Sequence, residues 1–142
     1  MKKFTNLIAL SVLILVLLIT SGCSAAKPAG LTDQQVTSLT ENMLKALDAN
    51  NYEDFTRDFS DKMISAFTPD QVTALQALIG NASGKFISIG TPTLMNNQGY
   101  AIYRFPCKYE NETVYVTITF LIDGQKVEGL FFDSANLRKP AQ

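Results

Sequence analysis

The 142-residue chain contains no histidine. Histidine is the side chain that titrates near neutral pH without help, the commonest metal ligand and the usual base of nucleophilic triads. Its absence argues against acid–base catalysis by imidazole and against the usual zinc sites. We therefore expect no catalytic residue, no metal and no cofactor, and we favour a binding protein over an enzyme.

Positive charge is also scarce beyond the N-terminus. Two of the twelve basic residues, Lys2 and Lys3, lie in the first three positions, which leaves ten basic against thirteen acidic residues from residue 23 onward, a net charge of −3. That region has no basic run that could neutralise phosphates. We expect no nucleic-acid partner and no electrostatic attraction to anionic lipid.

Cysteine is rare as well, with only Cys23 and Cys107 in the chain. A single cysteine in the predicted domain leaves no partner for an intramolecular disulfide. Cys107 lies between apolar neighbours of a predicted strand, and we expect a small core side chain rather than a reactive thiol. Cys23 lies at the end of a long apolar segment and needs a different explanation.

The N-terminal segment has three parts. Met1–Lys3 is basic, Leu7–Ile19 is apolar apart from one serine, and Thr20–Cys23 consists of small residues that end in cysteine. This pattern resembles the prokaryotic lipoprotein signal. The resemblance implies that the thiol of Cys23 receives a diacylglycerol and that residues 1–22 are removed. The new N-terminus is then open to acylation, for instance by palmitate.

Two alternatives to a lipoprotein signal remain. The uncharged stretch Phe4–Ala26 is long enough for a membrane-spanning helix, which needs about 20 residues, but the small and polar run Thr20–Ala26 argues against a span. A plain secretory signal would make Cys23 incidental, and Thr20 stands where lipoprotein signals usually have leucine. All three interpretations place residues 31–142 outside the cytoplasm. The lipoprotein interpretation places them on the extracytoplasmic face of the cell membrane, or at an outer membrane in a host that has one.

The signal divides the chain into segments. Residues 1–22 are the signal peptide, 23–30 the lipidated cysteine with a short tether, 31–136 one domain, and 137–142 a C-terminal tail. Ala25–Gly30 has the composition of a linker, and a flexible chain of about seven residues spans on the order of 15 Å. We expect the domain to stay close to the bilayer.

Helix signals fill the first half of the domain. Thr32 and Gln35 form a capping-box pattern, and Thr68–Gln71 carries a second one with proline in the first turn. Apolar residues recur at helical spacing between Tyr52 and Phe67, so we predict another helical stretch there, broken near Ser60.

Strand signals fill the second half. With Asn111–Glu112 at the centre of a tight turn, Phe105 faces Ile118 and one side of the hairpin is apolar. With Asp123–Gly124 as the next turn, Ile118 faces Gly129 and the same side stays apolar. The agreement across three strands supports an antiparallel meander.

An earlier strand completes the sheet. Lys85–Met95 joins the meander through Asn96–Gly99, and Gly90 and Pro92 predict a bulge or an edge in it. The elements predict an α+β domain, with two or three helices packed on a curled four-stranded antiparallel meander.

The order of these elements resembles the nuclear-transport-factor-like, cystatin-like superfold. The runs "NNYEDFTRDFSDKMISAF" and "KVEGLFFDSA" also resemble an uncharacterised family that occurs in prokaryotic lipoproteins and ahead of α/β-hydrolase domains. The resemblance covers roughly residues 33–135. It implies a cone-like domain, a pocket between helices and sheet, and frequent pairing through the outer sheet face. It carries no hydrolase activity to this domain.

The predicted register assigns residues to two faces of the sheet. The inward face, a candidate pocket, comprises Tyr103, Phe105, Cys107, Tyr109, Phe120 and Phe131. The outer face, a candidate interface, comprises Ile102, Arg104, Tyr115, Leu121, Glu128, Leu130 and Phe132. Arg104, Thr119 and Glu128 form one row across it. Apolar groups rimmed by charge favour a protein contact, and a merely solvated face is the alternative.

These features favour a membrane-anchored lipoprotein whose domain is a non-catalytic interaction or dimerisation module, with a second copy or another protein as partner. The alternative is a protein that binds a small apolar ligand in the cone pocket. An isomerase- or dehydratase-like enzyme is the weaker alternative, because Asp133 is the only carboxylate that the predicted register brings to the rim of the inward face.

The lipoprotein hypothesis predicts the behaviour of Cys23→Ala. Cells fed a labelled fatty acid should fail to label this variant, because the acceptor sulfur is missing, whereas Cys107→Ala should be labelled like the wild type. Fatty-acid label retained on Cys23→Ala would contradict the predicted anchor.

Overall fold

A computed structural model of the chain describes residues 25–139. Within these residues, four helices precede an antiparallel sheet of five strands that is not closed into a barrel, so the predicted α+β class is confirmed. The helices are α1 (Asp33–Asp48), α2 (Tyr52–Thr56), α3 (Asp61–Ala66) and α4 (Pro69–Ser83). The strands are β1 (Phe86–Ile89), β2 (Thr93–Asn97), β3 (Tyr100–Tyr109), β4 (Thr113–Leu121) and β5 (Val127–Asp133).

The two long helices begin where the capping boxes predict. Thr32 caps α1 with its side chain, which accepts a hydrogen bond from the backbone N–H of Gln35. Thr68 does the same for α4 with Gln71. In both cases the glutamine side chain returns a bond to the cap backbone, so two otherwise unpaired N–H groups at each helix start are satisfied.

The helical stretch between α1 and α4 is divided in two. Ser60 interrupts it, since its side chain caps α3 through the N–H of Met63. Its own N–H donates to the carbonyl of Val127 at 3.0 Å, and Phe59 forms an isolated bridge with the same residue. The predicted break near Ser60 is therefore confirmed, and β5 holds it in place.

The sheet is an antiparallel meander of four strand positions, and the first position is occupied by two short strands, β1 and β2. The strand order is β1-β3-β4-β5, and β2 pairs with the other half of β3. Between β1 and β2, the N–H of Gly90 donates to the carbonyl of Pro106 at 2.8 Å. A Cβ at Gly90 would lie 2.8 Å from that same oxygen, so the approach requires glycine. The predicted irregularity thus appears as a break that gives five strands.

The β3–β4 register differs from the prediction by two residues. Glu110–Asn111 forms the centre of the turn, because the N–H of Tyr109 bonds the carbonyl of Glu112 at 2.9 Å. Phe105 therefore pairs with Val116 rather than with Ile118. A shift of two residues leaves every side chain on its predicted face.

The β4–β5 register contains a bulge that the prediction lacks. Phe120 pairs with Val127, but Thr119 pairs with Gly129, which leaves Glu128 as an extra residue on β5. Because of this extra residue, the side chains of β5 beyond Glu128 point to the face opposite the one predicted. Its carboxylate accepts a hydrogen bond from Ser60 Oγ at 3.1 Å, a contact to a helix that no strand pattern could reveal.

The core lies between the helices and the inner face of the sheet. In α1, Val36 and Leu44 are buried, and they belong to one apolar cluster with the inward side chains of β3 and β4. Phe55, Phe59 and Phe67 pack edge to face under the short helices, with ring centroids 5.1 to 6.1 Å apart. Such pairs add roughly 0.5–1.5 kcal/mol each to the effect of burial.

Both ends of the described chain are joined to this core. Pro28 is buried and the N–H of Ala29 donates to the carbonyl of Ile122 at 2.8 Å, so the expected flexible tether is docked on the domain along part of its length. At the other end, Leu137 packs on the core, and the fold extends into the expected tail.

Glu112 holds the C-terminal end in place. Its carboxylate accepts hydrogen bonds from Ser83 Oγ at 2.6 Å, Ser134 Oγ at 2.7 Å and the N–H of Asn136 at 3.1 Å. The pKa of Glu112 is below its usual value, because these three bonds outweigh the opposing effect of desolvation. One side chain therefore links α4, the turn between β3 and β4, and the segment after β5.

Glu112→Gln should destabilise the domain at pH 7, because an amide cannot accept all three bonds. We expect a loss of about 1–3 kcal/mol in the free energy of unfolding, measured by urea denaturation. Since the pKa is lowered in the folded state, this contribution is present above the unfolded pKa and disappears as pH falls through the folded one. The difference in the free energy of unfolding between wild type and Glu112→Gln should therefore shrink below about pH 4.

Glu53→Gln, at an exposed position of α2, is the matched control, and equal losses in both variants would contradict the role of Glu112.

Candidate functional site

The predicted pocket residues are core residues. Five of the six, namely Tyr103, Phe105, Cys107, Tyr109 and Phe120, are buried. The ring of Tyr103 stacks on Phe105 and meets Phe120 edge to face, each with centroids 6.2 Å apart. The sixth is Phe131, and the prediction that it points inward is wrong. It lies beyond the bulge in β5, points outward and is 63% exposed.

The titratable groups of the inner face are held neutral. Burial raises the pKa of the Cys107 thiol to about 12, against a weaker opposing effect of a backbone hydrogen bond from Val116. Burial also raises the pKa of Tyr103 and of Tyr109, and the nearby Asp33 carboxylate adds to the shift of Tyr103. A protonated thiol and two protonated phenols are neither nucleophiles nor bases near neutral pH. Within residues 25–139 no three acidic or thiol groups lie close enough to hold a metal ion.

The outer face of the sheet is the surface formed by the outward side chains of β2 to β5. Pairing places Met95 beside Ile102, Tyr100 beside Leu121, and Phe131 beside Thr117. Its large apolar members are Met95, Tyr100, Ile102, Tyr115, Leu121 and Phe131. Five of the eight large apolar side chains exposed in the described part of the chain belong to it.

Four of the seven predicted interface residues lie on the outer face: Ile102, Arg104, Tyr115 and Leu121. The other three do not take part as predicted. Leu130 and Phe132 turn inward and pack on the core because of the bulge, and Glu128 is the extra residue bound to Ser60. Consequently the predicted row of Arg104, Thr119 and Glu128 does not form, and Arg104 pairs with Thr117 instead.

Sequence reasoning missed three members of the outer face: Met95, Tyr100 and Phe131. Strand alternation would have predicted that Met95 and Tyr100 lie on the outer face if the centre of the turn had been assigned to Gln98–Gly99. Both turn residues have positive φ, 48° for Gln98 and 85° for Gly99, as a two-residue hairpin turn requires. Phe131 could not have been found, because its facing depends on the bulge.

A charged cluster lies at one end of the outer face. The guanidinium carbon of Arg104 is 3.9 Å from the ring centroid of Tyr115. Asp133 accepts two hydrogen bonds from Arg138 and lies 3.7 Å from a guanidinium nitrogen of Arg104. The pKa of Asp133 is below its usual value, chiefly because of the Arg138 bonds. Asp133 is thus an ionised carboxylate that pairs with Arg138 and Arg104 on the outer face. It does not lie at the rim of the inner face.

An apolar groove lies beside the other surface of β5, against α4. Its volume is about 280 Å³. All its lining residues are apolar: Phe67, Leu75, Leu78, Ile79, Leu130, Phe131, Phe132 and Leu137. The two residues that the bulge turns inward, Leu130 and Phe132, therefore form part of its wall.

Comparison with protein-family models matches residues 40–130 to the family described as "Protein of unknown function (DUF3887)". The chain belongs to the DUF3887 family. The matched region runs from α1 into β5 and includes the whole of β3 and β4. The matched residues therefore include the outer face of the sheet, apart from the end of β5.

Among solved structures, the DUF3887 domain is similar to a protein from Ruminococcus gnavus ATCC 29149, determined by NMR. The identity is 14% and the TM-score 0.56, over 75% of this chain and 96% of the other. This likeness shows a shared fold. No curated protein sequence matches the chain. Within residues 25–139, no helix is both long and apolar enough to cross a membrane.

Proposed function

We propose that the protein is a membrane-anchored extracytoplasmic lipoprotein whose domain is a non-catalytic dimerisation module. Cys23 carries the lipid, and the outer face of the sheet pairs with the same face of a second copy. The observation that carries this proposal is the concentration of exposed apolar side chains on that one face.

The size of the outer face fits such a contact. The four strands of this face, β2 to β5, have 5, 10, 9 and 7 residues. At about 3.3 Å per residue and about 5 Å between strands, they cover about 500 Å² per copy. A symmetric contact would bury about 1,000 Å² in total, the lower end of the range for a biological interface. The exposed members at its two sides, Met95 on β2 and Phe131 on β5, would anchor it.

The charges of the face suit pairing with itself. A two-fold contact requires a patch that is complementary to its own copy. Arg104 and Asp133 lie beside each other and carry opposite signs, so two copies related by two-fold symmetry can place each next to its opposite. The resemblance to the nuclear-transport-factor-like superfold, in which pairing through this face is frequent, supports the same arrangement.

The anchor would help a weak interface. Two domains held on one membrane meet at an effective concentration far above that of free proteins, since the lipid confines both to a thin layer. A contact at the lower size limit can then be occupied without high affinity. The basic, apolar and small-residue parts of the N-terminal segment support this anchoring.

One observation favours the alternative, a small apolar ligand. The groove between α4 and β5 is lined by apolar residues and has a volume of about 280 Å³, just below the usual range of ligand sites. If the domain is a receptor, this groove replaces the filled cone as its site. The isomerase- or dehydratase-like alternative receives no such support, since Asp133 is paired on the outer face.

The pairing can be tested with charges at two positions. Met95→Glu with Phe131→Glu should weaken dimerisation of the full chain in detergent at least 100-fold, because four carboxylates would be buried in the contact. Both positions are more than half exposed in a single copy, so folding should survive. Sedimentation velocity over a range of protein concentrations measures the effect.

The matched control adds the same charge elsewhere. Ile64→Glu with Ala74→Glu changes two exposed apolar residues on α3 and α4 that do not line the groove and should leave the dissociation constant unchanged. A wild type that stays monomeric at every concentration, or a Met95→Glu/Phe131→Glu protein that dimerises normally, would contradict the proposal.

A further inference from the structure

The residues that lead into α1 form a strap across one end of the sheet. The N–H of Ala26 donates to Asn96 Oδ1 at 2.5 Å, and Asn96 Nδ2 donates to the carbonyl of Ala26 at 2.7 Å. Three residues later, the N–H of Ala29 donates to the carbonyl of Ile122. The strap therefore bonds both the end of β2 and the loop after β4.

A buried residue and a shared carboxylate strengthen the strap. Pro28 is buried. Asp33 accepts a bond from Lys27 Nζ at 2.7 Å on one oxygen and from the hydroxyl of Tyr103 at 3.0 Å on the other. Because Tyr103 is a buried member of the core, the strap is connected through Asp33 to the inner face of the sheet. The pKa of Asp33 is below its usual value, chiefly because of Lys27.

The strap lies at one defined end of the molecule, which we name the tether-side end. It comprises the β2–β3 turn at Gln98–Gly99 and the loop 122–126 between β4 and β5, which are joined by a bond from the N–H of Ile122 to the carbonyl of Gly99. The far end holds the Glu110–Asn111 turn. The two ends are separated by the ten residues of β3, a length of about 30 Å.

We propose that the tether-side end of the domain faces the lipid bilayer in a fixed orientation. This inference rests on the proposed lipidation of Cys23. Three residues of fully extended chain span at most about 11 Å, so the lipid must enter the bilayer within that distance of the docked Ala26. A free linker would let either end approach the membrane, but a strap bonded up to Ala26 does not.

This orientation has a consequence for pairing. With the tether-side end at the bilayer, the strands lead away from the membrane and the outer face points sideways. Anchored neighbours can then present the same face to each other without either domain turning over. The far end, with Glu112 and the C-terminal segment, points away from the lipid.

Quenching by lipid tests the orientation. The full lipidated chain is reconstituted in vesicles of phosphatidylethanolamine and phosphatidylglycerol that contain nitroxide-labelled headgroups. A fluorophore is attached to Asp123→Cys at the tether-side end or to Asn111→Cys at the far end, both exposed positions. Cys107 is buried, so we expect the label to leave it unmodified. We expect quenching at position 123 to exceed that at position 111 at least three-fold. Equal quenching, or stronger quenching at position 111, would overturn the inference.

Loosening the strap should reduce the difference in quenching. Lys27→Ala with Asn96→Ala removes three of its hydrogen bonds and should reduce the quenching ratio by half or more. Asn42→Ala with Lys62→Ala, at exposed helix positions, is the matched control and should leave the ratio unchanged. If the strap variant keeps the full ratio, the strap does not set the orientation.

The mass of the purified chain separates this inference from the proposed anchor. A chain without diacylglycerol on Cys23 overturns both together. A lipidated chain with equal quenching at both positions overturns the fixed orientation and leaves the anchor intact.

Discussion

The filled inner face of the sheet is the constraint on which the rest of this structure depends. Tyr103, Phe105 and Phe120 occupy the space that a ligand cavity would need, and α1 packs over them. Burial also keeps Cys107 and the two inward tyrosines protonated. The interior of the domain therefore contributes stability, and a partner or ligand can meet the domain at its surface.

One extra residue in β5 determines which side chains that surface exposes. The bulge at Glu128 turns Phe131 outward, where it completes an apolar face with Met95 and Tyr115, and turns Leu130 and Phe132 toward the groove beside α4. Without the bulge, the outer face would lose its most exposed aromatic ring. The proposed dimer and its ligand-binding alternative thus depend on the same local irregularity.

Local signals predicted most of the fold, and long-range contacts account for the errors. The caps at Thr32 and Thr68 act within four residues, and strand alternation acts within one strand, so both can be read from the sequence. The turn centre and the bulge depend instead on Glu112 and Glu128, which bond residues 29 and 68 positions away in the chain. The strap was missed for the same reason, because its composition is that of a free linker and its partners lie on distant strands.

Native mass spectrometry of the wild-type lipidated chain, released gently from host membranes, tests the central claim most directly. We predict a species of twice the chain mass with no additional small molecule, because the filled core has no room for one and the outer face binds a second copy. A monomer that carries a non-covalent apolar ligand would contradict this account and would assign the function to the groove between α4 and β5.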